Sequence, residues 1–223
     1  MRLNFIVVWG VINLCLAQVA YVQEYDPAFI SPVDDDIYLA GTFGELRSVH
    51  FHAGIDIKTG GRIGKKIRTI EDGYIYRVKV TPGGYGKTVY VKHPNGYISV
   101  YAHLHEFIPV IDKEVKHFQY KKQQHHLDLY FKPSRFPVNK GEVIGISGNS
   151  GYSLGPHLHF EIRRAADHVP LNALLFNFLV KDDIAPDIKG IGVYPLNDSS
   201  YVQGRNKPAY FRTQNNNGDY KLG

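Results

Sequence analysis

The chain has 223 residues, 43% of them hydrophobic and 13% aromatic, enough apolar material for one well-formed core and part of a second, which excludes an intrinsically disordered protein. The net charge of +5 comes from Lys and Arg scattered among acids, with no dense basic run of the kind that binds nucleic acid. Sixteen Tyr, twelve Phe and short Val/Ile runs broken by Gly, Pro and Asn favour strands over helices, so the expected class is mainly β.

Residues 1–20 carry Arg2, the apolar run FIVVWGVINLCLA and small residues at Ala17 and Ala20, the layout of a secretory signal peptide. Export to the periplasm, the cell surface or the medium is the expectation, with no transmembrane span in the mature chain. The lone cysteine, Cys15, lies inside this segment behind Leu14, which disfavours lipidation. Loss of the segment leaves no thiol, excluding cysteine catalysis and cysteine-ligated zinc.

Residues 21–44, rich in Pro, Asp and Gly, read as an extended lead-in. Alternating apolar runs then recur at 66–70, 73–80, 87–93, 96–104, 142–147 and 158–164, each bounded by a turn signal such as Asp72-Gly73 or Pro94-Asn95-Gly96. Their close spacing predicts antiparallel hairpins. The turn PGGYGKT at 82–88 has Thr81 where a phosphate-binding loop needs its first glycine, and a strand follows it, so it reads as a hairpin. Between 105 and 138, Ile108, Ile111, Val115 and Phe118 fall three or four apart and predict an amphipathic helix inserted between core strands. Beyond Pro170, LNALLFNFLV suggests a short helix, KDDIAP a linker, and 188–196 and 207–214 two strands. About forty residues after position 180 cannot bury a core alone, so the chain is expected to stop inside a second β module.

Three His-x-His pairs stand out: His50/His52, His103/His105 and His157/His159. Residues two apart on a strand share a face, so His157 and His159 can aim into one pocket. His52 and Asp56 would lie ~13 Å apart on a straight strand at ~3.3 Å per residue and need a bend to share an ion, for which Gly54 offers conformational freedom. Two imidazoles and a carboxylate with an open fourth position make a catalytic zinc shell.

HAGID (52–56), YAHL (101–104) and GPHLHFEI (155–162), in that order, resemble the lysostaphin/LytM-type family of zinc metalloendopeptidases, peptidoglycan hydrolases of the glycyl-glycine endopeptidase kind. The resemblance spans roughly residues 40 to 170 and includes the glycine-rich GNSGYSLGP, read as a rim loop. It implies antiparallel sheets of the lysostaphin-like (duplicated hybrid motif) type with a helical insertion, a peptidase domain over 45–180, one Zn2+ held by His52, Asp56 and His159, and catalytic roles for His103 and His157. Peptidoglycan stem peptides or cross-links are the implied substrates. Relatives often place a tyrosine upstream of the first ligand as a transition-state donor, where this chain has GELRSVHFH. Arg47 is therefore the candidate for oxyanion charge, with His50 a candidate for orienting a ligand, and the 105–138 insertion is expected to wall the substrate groove. The rival reading is a non-catalytic module that binds the wall or activates amidases.

Overall fold

The computed structural model describes residues 29–222 apart from positions 49, 183, 186, 217 and 218. The expected signal segment and the first part of the lead-in lie outside the described residues. Two units are present, up to Lys181 and from Asp182 onward.

In the first unit the strands are β1 (Leu39–Gly41), β2 (Ile55–Lys58), β3 (Lys66–Arg68), β4 (Gly73–Val80), β5 (Lys87–Lys92), β6 (Tyr97–Leu104) and β7 (Glu106–Phe107). Helix α1 (Pro109–Lys122) follows, then β8 (Leu127–Tyr130), β9 (Pro137–Val138), β10 (Val143–Ile146), β11 (His157–Arg164) and β12 (Pro170–Leu171). The main sheet runs β1-β2-β11-β6-β5-β4-β8, with β12 on β11 and β9 on β4, and every pairing in it is antiparallel. A smaller sheet, β3-β10-β7, is also antiparallel.

Alternation along β11 explains the layering. Leu158, Phe160 and Ile162 enter the main core, joined there by Ile55 and Ile57 of β2, Tyr101 and Leu104 of β6, and Ile67 and Ile144 of the small sheet. The intervening His157, His159, Glu161 and Arg163 project from the opposite face, as a period of two demands. That opposite face also carries a second apolar cluster of Tyr76, Tyr90, Ile98 and Val100.

The predicted helix is present as α1, with Ile111 and Val115 buried on the core and Gln123 closing it in the left-handed conformation, and the rest of the 105–138 segment supplies β8 and β9, which pair with β4. Two local readings differ from the structure. The expected helix after Pro170 is a single 3-10 turn, Ala173–Leu175, opened by Asn172, whose side chain accepts from Leu174 N. Part of the lead-in is structural, since Val33 and Ile37 are buried in the core and β1 pairs with β2. In the second unit, β13 (Gly190–Val193), β14 (Ala209–Asn216) and β15 (Asp219–Leu222) form an antiparallel sheet.

Candidate metal centre and active-site cleft

The register of three strands assembles the centre. Asp56 of β2 lies directly across from His159 of β11, and Ala102 of β6 flanks His159 on the other side. His52 arrives from the loop before β2, where its backbone bonds to Glu45 and Gly44 fold the segment back. The result is a buried cluster in which His52 Nε2 is 3.1 Å from Asp56 Oδ1 and 2.9 Å from His159 Nδ1, itself 3.0 Å from Asp56 Oδ1.

Gly54 serves this arrangement by its lack of a side chain, since its backbone is not left-handed. A Cβ there would lie 2.3 Å from the Phe160 carbonyl oxygen on β11, so close contact between the segments, rather than freedom to bend, requires the glycine.

The outer hydrogen bonds decide which atoms can bind a cation. His52 Nδ1 lies 2.8 Å from the Thr42 carbonyl oxygen, which only accepts, so the ring proton sits on Nδ1 and Nε2 presents a lone pair. His159 Nε2 lies 2.8 Å from Glu161 Oε1, which leaves Nδ1 as the lone-pair atom. Three electron-pair donors thus face one point, an arrangement that repels itself unless a cation or proton stands between them. Their separations approach the ~3.3 Å edge of a tetrahedron with ~2.0–2.1 Å metal bonds. The donor set fits zinc. When a proton rather than a cation fills that point, burial still opposes ionisation of Asp56, but its contacts with the His157, His159 and His52 rings outweigh it and hold the carboxyl well below its usual range. Burial likewise opposes charge on His159, yet Asp56 and Glu161 raise its pKa to about 9.

Two further imidazoles border the cluster. His103 sits at a bulge where β6 inserts one extra residue opposite β5, and it adopts φ 58°, in the left-handed region. The bulge reverses the alternation, so Tyr101 and Leu104 both enter the core while His103 turns to the cleft. Its Nδ1–H donates to the Ser150 carbonyl oxygen at 2.8 Å, freeing Nε2, and burial lowers its pKa to about 4. His157 packs 4.8 Å away between ring centroids. Its Nδ1 is 2.8 Å from the Gly155 carbonyl oxygen, and its Nε2 is 3.4 Å from Asp56 Oδ1. Burial pushes the His157 pKa down, but the Asp56 and Gly155 contacts more than compensate and raise it.

These groups line a cleft of about 1050 Å³ whose walls come from residues 40–61, the 84–85 turn and the 152–157 loop. Helix α1 contributes nothing to this lining, contrary to the sequence expectation for the 105–138 segment.

The sequence matches the family model of peptidase family M23 over residues 50–120 and 116–172, together more than half of the chain. The chain belongs to peptidase family M23. The DD-carboxypeptidase/endopeptidase Mpg of Neisseria meningitidis is 34% identical over 118 residues, 53% of this chain and 21% of that protein. The peptidoglycan DD-endopeptidase ShyA of Vibrio cholerae is 29% identical over 152 residues, 66% of this chain and 29% of that protein. A zinc-containing peptidase of known structure from Vibrio cholerae is similar at 24% identity and a TM-score of 0.49, over 66% of this chain and 40% of that one. The chain therefore spans between a fifth and a third of the length of these two curated relatives.

Not every candidate of this M23 chain reaches the centre. Arg47 is there: its guanidinium is 2.9 Å from Asp56 Oδ2 and 3.0 Å from Glu45 Oε2, so it braces the carboxylate whose other oxygen faces the histidines. His50 is exposed on the cleft wall, and its carbonyl oxygen accepts from the Arg47 N–H. His105 faces away, into a separate pocket beside Lys87 and Glu106. Two residues escaped the sequence reading. Glu161 was accessible to it, since positions 157, 159 and 161 share a strand face. Tyr85, on the hairpin turn, has no periodicity to betray it, yet its ring packs 4.8 Å from that of His159.

Proposed function

We propose that this chain is an exported zinc metallopeptidase that hydrolyses peptide bonds in peptidoglycan, within stem peptides or their cross-links. The observation that carries this reading is the convergence of three lone-pair atoms on one buried point at the floor of a large cleft, with two more imidazoles alongside. The curated relatives named for DD-endopeptidase action supply the substrate class. Export rests on the layout of the N-terminal segment, and among the described residues no helix is long and apolar enough to cross a membrane.

His52, Asp56 and His159 would hold the zinc. When bound, zinc supplies Lewis acidity toward a peptide carbonyl and a lowered pKa for water at its open position. The chain's own residues do the rest. His103, kept neutral by burial, offers Nε2 as the proton acceptor, while His157, biased toward its charged form by Asp56, is suited to deliver a proton to the leaving amine. Arg47 acts through Asp56 by fixing its orientation. Tyr152 and Leu154, both strongly exposed on the rim loop, offer apolar contact to a bound peptide.

Digestion of purified sacculi, with products identified by mass spectrometry, tests the proposal. Wild-type protein should release muropeptides and carry one zinc per chain. His157→Ala and His103→Ala should retain the metal and lose turnover. An unchanged muropeptide profile with no bound zinc would identify an inert wall-binding or amidase-activating module instead.

A further inference from the structure

Beneath the three donors the outer face of β11 continues into a buried polar string. Glu161, two positions beyond His159, is completely buried, and both of its oxygens are occupied. His159 Nε2–H donates to Oε1 at 2.8 Å, the Tyr85 hydroxyl donates to the same oxygen, and Arg163 Nε donates to Oε2. A carboxylate without solvent is costly unless paired, and here three donors from two segments pair it. Gly54 belongs to the same device, because a Cβ there would approach Glu161 Cγ to 2.7 Å. The glycine of HAGID thus leaves the space that Glu161 occupies.

Glu161 is fully buried and does not line the cleft, so it cannot touch substrate itself. What it can do is choose between the two neutral forms of the His159 ring. Only the form protonated at Nε2 leaves Nδ1 free beside His52 Nε2 and Asp56 Oδ1. We propose that Glu161 is a positioning residue that fixes this tautomer of His159, with Tyr85 and Arg163 fixing Glu161 in turn. The inference rests on reading the cluster as a zinc site. It adds that the site depends on a carboxylate two residues past the last ligand, which binds no metal itself.

The test uses the full chain, titrated with zinc against a chromophoric chelator, together with long-range 15N–1H NMR on histidine-labelled, zinc-loaded protein to identify the protonated ring nitrogen. Glu161→Leu, which removes the acceptor, should weaken zinc binding about 10- to 100-fold and lose the Nε2–H signature of His159. Glu161→Gln still accepts from Nε2–H but lacks the charge that makes the ring more basic. It should keep the signature with a several-fold loss of affinity, and it decides the matter if the Leu variant does not fold. Zinc affinity within twofold of wild type in either folded variant overturns the proposal. Failure of the wild-type chain to bind zinc at all would instead sink the peptidase reading on which it stands.

Discussion

Zinc should stabilise the fold by an amount set by its affinity, because the site exists only in the folded chain. His52 and His159 are 107 residues apart in sequence and Asp56 and His159 are 103 apart, yet their donor atoms stand 2.9 and 3.0 Å apart. An unfolded chain cannot hold that geometry, so zinc binds the native state almost exclusively. At free zinc one hundred times the dissociation constant the gain is about 2.7 kcal/mol. For a unit of this size a gain of 1 kcal/mol moves the unfolding midpoint by roughly 2–4 °C, giving a shift of about 5–11 °C between chelator-treated and zinc-loaded protein. Circular dichroism melts at stepped zinc concentrations measure it. His159→Ala and Asp56→Ala should melt at a midpoint indifferent to zinc, whereas His157→Ala, whose ring lies outside the donor set, should keep the shift. The reasoning is refuted if wild type shows no zinc-dependent midpoint, or if His159→Ala shifts as much as wild type.

His93 is buried, donates to the Asp72 carbonyl oxygen at 2.8 Å and faces Ser99 Oγ at 2.7 Å; burial, opposed by its contact with Asp72, holds its pKa below the ordinary histidine value. The unfolded chain therefore binds a proton here before the folded one does, so stability is full above about pH 6.5 and falls as pH drops below it. Denaturant titrations between pH 7 and 5 should show a shallower slope for His93→Gln, and an unchanged slope would count against the assignment. Tyr101→Phe removes the buried hydroxyl that accepts from the Ile70 N–H at 3.1 Å, so urea unfolding should report a loss of about 1–3 kcal/mol. Gly151 combines φ +76° with contacts a Cβ would make at 2.4 Å to Gly84 O and Gly86 N, so Gly151→Ala should cost about 1–3 kcal/mol and spread the Tyr85 turn from the rim loop. Activity on sacculi should fall with it, and wild-type activity at wild-type stability would contradict that coupling.

The sequence alone determined the elements and the kinds of chemistry on them. Alternating runs at 73–80 and 87–93 carry their own period, so β4 and β5 could be placed without knowledge of their partners. The pairing of His157 with His159 on one face follows from the same period, and it extends to Glu161. Tertiary structure decided everything that depends on where separate segments meet. His52 and Asp56, far apart on any straight strand, come together because backbone bonds to Glu45 and Gly44 fold the chain back before β2. His103 reaches the cleft only because a bulge against β5 breaks the alternation that would have sent it to the core. Helix α1, readable from its apolar stripe, went to the core rather than to the groove wall, while Tyr85 on an aperiodic turn arrived beside His159. Local period reports which way a side chain faces relative to its own strand. Register, bulges and backbone contacts between distant segments determine what it faces, and these are properties of pairs of segments that no single segment encodes.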